Sequence, residues 1–258
     1  MSSKRPPRIA YLDGRRLQRL LLAGIARLAA ERRHLDRLNV FPVPDGDTGT
    51  NLALTFSAVG EAVAAATTRH AGELLAIAAD AALDGARGNS GAIFAAWTQG
   101  LAAALAGQAR IDLPDLAGAL AAAELSARQA LQNPVEGTVL TVMRDIANAV
   151  APHRLPPGAD FSQMMAGLLV HARKAVADTR NMLEEMRTAD VEDAGALGLL
   201  LLLEGMAEAL QPGLAPPVGF SNDTDLARHA HAEAHADSAH GMSGTDRYCT
   251  ECLVTGSG

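Results

Sequence analysis

Two carboxylates stand two residues apart in the segment "LNVFPVPDGDTGTNL", residues 38–52. Asp45 and Asp47 flank a glycine, and the preceding Pro42 and Pro44 restrain the backbone ahead of both carboxylates. Carboxylate oxygens suit a hard cation, because Mg²⁺ is commonly held by one or two carboxylates together with phosphate oxygens. The segment therefore predicts a stiff loop that holds a metal ion and a phosphate group. An ordinary turn with aspartate as a helix N-cap is the alternative.

Three further small-residue segments each precede an apolar, helix-like stretch: "GARGNSG" at 85–91, "EGTVLT" at 136–141 and "EDAGALG" at 192–198. The start of a helix presents unpaired N–H groups and the positive end of the helix dipole, so it attracts anions. Glycine also lets the backbone approach a ligand closely. Taken singly, each segment is better explained as a tight turn than as a phosphate site.

Apolar residues at helical spacing predict eight helical segments and an all-α fold class. Alanine and leucine dominate a chain that is 48% hydrophobic and only 3% aromatic, which favours close-packed helices. No segment shows sustained alternation of apolar and polar residues, so no sheet is expected in the body of the chain. The eight segments cover residues 13–37, 49–66, 71–86, 90–106, 112–132, 137–151, 160–187 and 195–211.

The order of these segments predicts where the four polar helix starts meet. Short connections make successive helices antiparallel neighbours, so the second, fourth, sixth and eighth segments begin at the same end of an up-and-down bundle. These are the segments that follow the four glycine-containing stretches. A shared rim of four polar helix starts is a plausible phosphate site, and Asp45 and Asp47 would lie on it.

Composition and charge exclude several classes of protein. The 258 residues carry a net charge of −7, which argues against a nucleic-acid partner, because phosphate backbones are bound by clustered Lys and Arg. The apolar run at 197–203 is far shorter than the roughly 20 residues that span a bilayer. The basic N-terminus is followed by no apolar stretch of the secretory type. A cytoplasmic protein without a membrane span is expected.

Other metal and nucleotide motifs do not fit the sequence. An EF-hand loop that began at Asp45 would need an acidic residue at its twelfth position, where Phe56 stands. The chain has no P-loop pattern, and "GARGNSG" neither matches the dinucleotide-binding fingerprint nor follows a strand. Cys249 and Cys252 form one CxxC pair at the chain end, which is weak support for a metal or redox site. Asp80 and Asp84 are better explained as a solvated helix face.

The amino-acid composition of the chain changes after residue 211. A helical domain is predicted over 10–212, followed at 213–246 by a flexible linker rich in histidine, proline and glycine. The last stretch, 247–258, looks like the start of a β-strand, and it is predicted to begin a second, truncated domain.

The strings "NVFPVPDGDTGTN", "GARGNSG", "EGTVLTV" and "DAGALGLLLLLEGM" together resemble the nucleotide-binding domain of the dihydroxyacetone-kinase L (DAK2) family, from about residue 10 to 210. The proline-containing loop, and Thr48 where dihydroxyacetone kinases carry a histidine, look most like the fatty acid kinase branch. The resemblance implies a barrel of eight antiparallel helices that binds Mg–ATP at one rim, with two Mg²⁺ ions expected.

The resemblance also suggests roles for individual residues. Asp45 and Asp47 look like magnesium ligands, and Asn39 stands about where some relatives carry a third carboxylate. No general base is nominated, because a carboxylate acceptor is already ionised and phosphoryl transfer depends mainly on positioning and charge neutralisation. The expected nucleotide-binding residues are Thr48, Gly49, Thr50, Asn51, Gly88, Asn89, Ser90, Gly137, Thr138, Asp193 and Gly195.

These expectations describe a kinase domain that transfers the γ-phosphoryl group of ATP to a fatty acid carboxylate. By resemblance, the fatty acid is presented by a DegV-like carrier protein or by a fused domain, and a homodimer would form through further domains. Two alternatives remain open. One is phosphorylation of dihydroxyacetone, a small ketone, and the other is a module that binds nucleotide without catalysis.

Overall fold

The structure, a computed structural model, describes residues 8–151 and 154–211. The linker predicted at 213–246, the second-domain start predicted at 247–258 and the CxxC pair all lie outside the described residues. The predicted all-α class is confirmed.

Ten helices occupy the described ranges. They are α1 Gly14–Ala30, α2 Arg32–Leu38, α3 Thr48–Ala65, α4 Ala71–Asp84, α5 Gly88–Ala104, α6 Leu113–Gln129, α7 Val139–Ala149, α8 Phe161–Thr179, α9 Glu184–Ala189 and α10 Ala194–Ala209. Two short strands, β1 Leu12–Asp13 and β2 Arg110–Ile111, complete the set.

Eight of the helices close into a ring. Each packs on the next in the order α1, α3, α4, α5, α6, α7, α8 and α10, and α10 packs back on α1. The closing contact between α10 and α1 is tight, since a Cβ added to Gly24 would lie 2.6 Å from the carbonyl oxygen of Leu202. The two helices run antiparallel, because Gly24 meets Leu202 while Leu28, one turn later in α1, meets Gly198, one turn earlier in α10. The barrel of eight antiparallel helices is therefore confirmed.

The two remaining helices are short and arise from breaks inside predicted segments. The segment 13–37 divides at Glu31 into α1 and α2, and 160–187 divides after Thr179 into α8 and α9. Both breaks serve close approaches between distant parts of the chain. The α2 backbone lies against Gly49 at the start of α3, and the residues between α8 and α9 lie against Gly137, next to the start of α7.

The expectation of no sheet in the body is wrong by one small element. β1 and β2 pair antiparallel, with Leu12 opposite Ile111 and Asp13 opposite Arg110. Leu12 and Ile111 are both buried. The pair joins the residues before α1 to the connection between α5 and α6, and two residues are too few to show an alternating pattern in the sequence.

The core fills the interior of the ring with aliphatic side chains from all eight helices. In α1, the predicted apolar face is buried at Leu17, Leu20, Ile25 and Leu28. No helix among the described residues has the length and apolar character needed to cross a membrane.

Candidate metal and phosphate site

The start of α3 lies directly against the start of α5. A side chain at Gly88, the first residue of α5, would clash with the amide of Asn51. One turn further along α3, the hydroxyl of Thr55 accepts a hydrogen bond from the backbone N–H of Arg87 at 3.1 Å. Gly88 has a φ of +58°, a backbone conformation that glycine adopts without strain.

The start of α7 lies against the start of α10 in the same way. A Cβ on Gly195 would lie 3.4 Å from the Cβ of Val139, the first residue of α7. One turn into α10, Gly198 packs on Leu52, which is one turn into α3. These contacts place the starts of α3, α5, α7 and α10 side by side at one end of the ring, an end that we call the rim.

The loop of residues 39–47, which we call the metal loop after its predicted role, enters α3 at the rim. Asn39 is buried, and its side-chain amide donates a hydrogen bond to Asp45 at 2.5 Å. Asp45 is exposed and Asp47 is half-buried. Burial raises the pKa of Asp47 to about 6, a hydrogen bond from Asn51 opposes the rise, and the negative charges of Asp45 and Asp36 add to it. A bound cation would relieve this repulsion among carboxylates.

The oxygen donors of this loop fit Mg²⁺. The described residues contain no group of three or more His, Cys, Asp or Glu side chains that could hold a metal by themselves. A site built on Asp45 and Asp47, with the amide oxygen of Asn39, would leave further positions for water and phosphate oxygens. Mg²⁺ is commonly bound in this way, because it keeps several waters and takes only one or two carboxylates.

A second feature at the rim fits a phosphate group. The hydroxyl of Ser90 in the first turn of α5 is buried, and no hydrogen-bond partner lies within reach among the described residues. A buried polar atom without a partner is costly, and a ligand is one explanation for it. Asn89, the residue before it, is exposed on the same turn.

The remaining predicted phosphate contacts of α3 are held in part by α2. A side chain on Gly49 would clash with the carbonyl of Arg32 and lie 2.8 Å from the Cβ of Leu35. The backbone N–H of Thr50 donates to Asp36 at 2.7 Å, and its hydroxyl donates to the other carboxylate oxygen at 3.0 Å. Thr48, the first residue of α3, is half-buried.

Asp36 and Arg32 are contacts of the candidate site that sequence reasoning missed. Arg32 donates to the hydroxyl of Thr50 at 2.9 Å and lies 3.9 Å from the carboxylate of Asp36. In the sequence, the two residues form an ordinary i, i+4 charge pair, which is typical of a solvated helix face. Their contact with a residue on another helix leaves no local signal.

At the half of the rim formed by the starts of α7 and α10, polar groups are hydrogen-bonded within the protein. Asp193 is only 8% exposed, and its carboxylate accepts the backbone N–H of Ala196 at 2.7 Å. Burial raises the pKa of Asp193 to about 6, while hydrogen bonds from the N–H groups of Ala196 and Val139 oppose the rise. Gly195, where an added Cβ would lie 3.4 Å from the Cβ of Val139, is buried next to Asp193.

Gly137 and Thr138 are likewise engaged inside the protein. The backbone N–H of Gly137 donates to the hydroxyl of Thr141 at 2.8 Å, and the Thr138 hydroxyl donates to the carbonyl of Val135 at 2.8 Å. Thr138 also caps α7 through its contact with the N–H of Leu140. The structure thus places all the predicted site residues at the rim, but in two halves with different surroundings.

An acidic residue before α7 belongs to a charge cluster that was not predicted. Glu136 accepts the hydroxyl of Thr141 at 2.5 Å and pairs with Arg128 at 3.0 Å and Arg144 at 2.9 Å. The hydroxyl of Thr141 and the two arginines lower the pKa of Glu136. The cluster therefore carries cationic side chains beside the start of α7.

Two surface cavities lie away from the rim. One of about 290 Å³ is lined by residues of α7 and α8, including His171 and Lys174. Another of about 650 Å³ is lined by the start of α1 and the end of α3, with Arg15, Arg16 and Arg19 on one side.

Comparison with known proteins identifies relatives in sequence and solved structures with a similar fold. An uncharacterized protein of Staphylococcus saprophyticus is 33% identical over 251 residues, which cover 95% of this chain and 44% of the relative. An uncharacterized protein of Staphylococcus aureus is 32% identical over 250 residues with the same coverage. The chain thus spans less than half the length of these relatives.

Among solved structures, the dihydroxyacetone kinase from C. freundii in complex with AMP-PNP and Mg²⁺ is similar, with a TM-score of 0.59 and 16% identity over 81% of this chain and 37% of that one. Its native form gives a TM-score of 0.56. At this identity the likeness shows the fold alone. The model of the DAK2 domain matches residues 42–208, from the metal loop to the last turn of α10. The chain belongs to the DAK2 domain family.

Proposed function

We propose that this chain binds Mg–ATP at the rim and takes part in transfer of the γ-phosphoryl group. The observation that carries the proposal is the half of the rim formed by the starts of α3 and α5. There Asp45 is exposed, Asp47 is half-buried beside it, and the Ser90 hydroxyl is buried without a partner among the described residues. The solved relative that was crystallised with AMP-PNP and Mg²⁺ has the same fold, which supports the choice of ligand.

The residues at the starts of α3 and α5 have complementary tasks in this proposal. Asp45 and Asp47 hold the metal, with Asn39 keeping Asp45 in place through its amide. The hydroxyl of Ser90 and the N–H groups at the start of α5 donate to phosphate oxygens, as helix starts commonly do. Mg²⁺, expected as two ions, would offset the charge of the phosphates. Because the transfer depends on positioning and charge neutralisation, this chain needs no general base for an ionised acceptor.

The acceptor that we propose is a fatty acid carboxylate presented by a DegV-like carrier protein or a fused domain. The proline-containing metal loop with Thr48 after the second aspartate supports this choice within the family. Relatives more than twice as long as the matched part leave room for further domains, through which a homodimer could also form. Phosphorylation of dihydroxyacetone, the activity for which the solved relative is named, is the alternative. A module that binds nucleotide without catalysis is the third candidate.

The proposal assigns nucleotide binding to residues 10–212, the linker to 213–246 and the start of another domain to 247–258. A protein that uses ATP in this way belongs in the cytoplasm. With the acceptor presented by another polypeptide, the chain alone would bind nucleotide but phosphorylate free fatty acid poorly.

Calorimetric titration with Mg–ATP tests the site through Asp47→Ala. We expect the affinity to fall about 100-fold or more, because the remaining carboxylate at Asp45 cannot by itself hold the ion against the phosphate charge. The melting temperature should stay within about 2 °C of that of the wild type, since Asp47 caps no N–H with its side chain.

A matched control removes the same charge from the same helix. Glu61 is exposed on α3, 13 residues after Thr48 and therefore about 20 Å from the helix start. Glu61→Ala should bind Mg–ATP like the wild type. Equal affinities for the wild type and Asp47→Ala would return the loop to the status of a structural turn.

A further inference from the structure

We propose that Asp36 is a positioning residue that caps α3 in place of Asp47 and thereby leaves the Asp47 carboxylate free to hold metal. This inference rests on the proposed function for the role of Asp47. The capping contact itself is visible in the structure. Five of the described helices begin directly after an aspartate, and a comparison of their starts shows how α3 differs.

Four of these five helices are capped by their own aspartate. In each, the carboxylate accepts the backbone N–H three residues further on, which is the usual partner of a capping side chain. The aspartate in each case has an extended backbone, which lets its side chain turn back over the helix start. The bonds are Asp13 with Arg16 at 2.8 Å, Asp112 with Asp115 at 2.9 Å, Asp160 with Gln163 at 2.9 Å and Asp193 with Ala196 at 2.7 Å.

Asp47 departs from this pattern. Its φ of −118° and ψ of −3° lie outside the extended region, and its side chain makes no capping bond. The N–H three residues further on belongs to Thr50, and it is bonded at 2.7 Å to Asp36, which lies 14 residues away from Thr50 on α2. The position that an aspartate fills by itself on four other helices is therefore filled from another helix on α3.

The contact between Asp36 and Thr50 is reinforced on both sides. The Thr50 hydroxyl donates to the second oxygen of Asp36 at 3.0 Å, so both carboxylate oxygens are used. Arg32 donates to the same hydroxyl from one turn earlier on α2. The close approach of Gly49 to the α2 backbone holds the two helices at this distance. The break at Glu31 separates α2 from α1, and α2 packs on the start of α3.

The consequence concerns which way the Asp47 carboxylate faces. A capping carboxylate is turned inward over the helix start and accepts an N–H, as that of Asp193 does. With Thr50 bonded to Asp36, the Asp47 carboxylate has no capping bond and lies close enough to Asp45 for the two charges to interact. Removal of Asp36 would leave the Thr50 N–H without its acceptor and would draw Asp47 into the capping position. Asp36 would then support metal binding without touching the metal.

The test uses the full 258-residue chain and two kinds of readout. The first is hydrogen exchange of the Thr50 amide by NMR, without metal or nucleotide. We expect the amide to be protected in the wild type, in Asp47→Ala and in Asp36→Asn, whose amide oxygen still accepts the N–H. Protection should fall at least tenfold in Asp36→Ala. Protection that depends on Asp47 and not on Asp36 would overturn the inference.

The second readout is ATP affinity with and without Mg²⁺. Asp36→Ala should weaken the Mg²⁺-dependent part about tenfold, the size typical of residues that orient metal ligands, and change metal-free affinity less than twofold. Asp36→Asn should bind like the wild type, because it keeps the cap but not the charge. A tenfold loss in Asp36→Asn would show that the charge acts on the metal directly, which would overturn the capping role.

A control separates positioning from general stability. Asp112→Ala removes the same kind of capping bond from α6, and it should lower the melting temperature without changing the Mg²⁺ dependence. If Asp36→Ala and Asp112→Ala behave alike, Asp36 is only structural. If the wild type binds no Mg–ATP, the proposed function fails, while the exchange measurement still decides which aspartate caps α3.

Discussion

The two halves of the rim differ in how their polar groups are satisfied. At α3 and α5, Asp47 caps nothing and the Ser90 hydroxyl has no partner within the described residues. At α7 and α10, Asp193 accepts the N–H of Ala196, and the N–H of Gly137 is bonded to Thr141. One half, which we call open, keeps polar side-chain groups without protein partners among the described residues, and the other, which we call closed, is satisfied by its own hydrogen bonds.

The difference teaches which polar residues at a shared rim are available for chemistry. A helix start whose donors and acceptors are already bonded has little to offer a phosphate or a metal. At the starts of α7 and α10, the donors and acceptors named above are bonded in this way. The nucleotide contacts predicted for these two helices, Gly137, Thr138, Asp193 and Gly195, stay predictions.

The largest expected effect comes from alanine substitutions at two glycines. Each glycine is the second residue of its helix, and one lies in each half of the rim. Gly49→Ala should destabilise the protein by about 3 kcal/mol, because the new Cβ meets the Arg32 carbonyl and lies 2.8 Å from the Cβ of Leu35. Gly195→Ala should cost less than about 1 kcal/mol, since its nearest contact, an oxygen of Asp193, lies at 3.3 Å and alanine is the better helix former. Urea denaturation measures both. Equal losses would remove the distinction between a start packed hard on α2 and one with room to adjust.

The next effect tests the burial of Asp193 through pH. Its pKa is about 6 in the folded state against 3.8 unfolded, so the folded protein binds the proton more tightly. Stability should therefore fall as pH rises from 4 to 6, with the full penalty present above pH 6 and absent below 3.8. Asp193→Asn lacks this penalty. Relative to the wild type, it should gain about 3 kcal/mol between pH 4 and pH 7.

That comparison also isolates Asp193 from Asp47, whose pKa is raised in the same range and which both proteins share. Thermal or urea unfolding at a series of pH values provides the measurement. A difference between Asp193→Asn and the wild type that does not vary with pH would mean that the Asp193 carboxylate is solvated rather than buried, so that the starts of α7 and α10 would not be closed by it.

The smallest effect concerns the hydroxyl of Ser90. Without ligand, Ser90→Ala should be neutral or stabilising by up to about 1 kcal/mol, because the buried hydroxyl has no hydrogen bond to lose among the described residues. With Mg–ATP, it should lower affinity about tenfold, the worth of one hydrogen bond to a charged group. Ser162→Ala, an exposed serine at the start of α8, serves as the control. A loss of stability in the free protein would show that Ser90 has a structural partner.

The sequence alone was enough to predict the eight helices of the ring. It was not enough to predict the breaks that divide two of the predicted segments. Apolar spacing located every helix of the barrel, because each buries one face. The stretch around Glu31 consists of good helix formers, so nothing local marks the end of α1. The break accompanies the packing of α2 against the start of α3. A contact between residues so far apart in the chain leaves no periodic pattern in the sequence. The pairing of Leu12 with Ile111 was not predicted for the same reason.

For the candidate site, the sequence supplied the residues of the metal loop but not their supports. The spacing of Asp45 and Asp47 and the order of the helices were enough to place both carboxylates at one rim. The bond between Asp36 and Thr50 joins two helices across a loop, so it could only be found in the structure. The burial of Asp193 could not be predicted either, because the string "EDAG" is the same whether the Asp193 carboxylate faces solvent or the interior.

The direction of α10 separates its last residue from the candidate site. The helix starts at the rim and runs 16 residues, so Ala209 lies about 24 Å away, toward the opposite end of the barrel. A group attached at Ala209 therefore lies well clear of the metal loop.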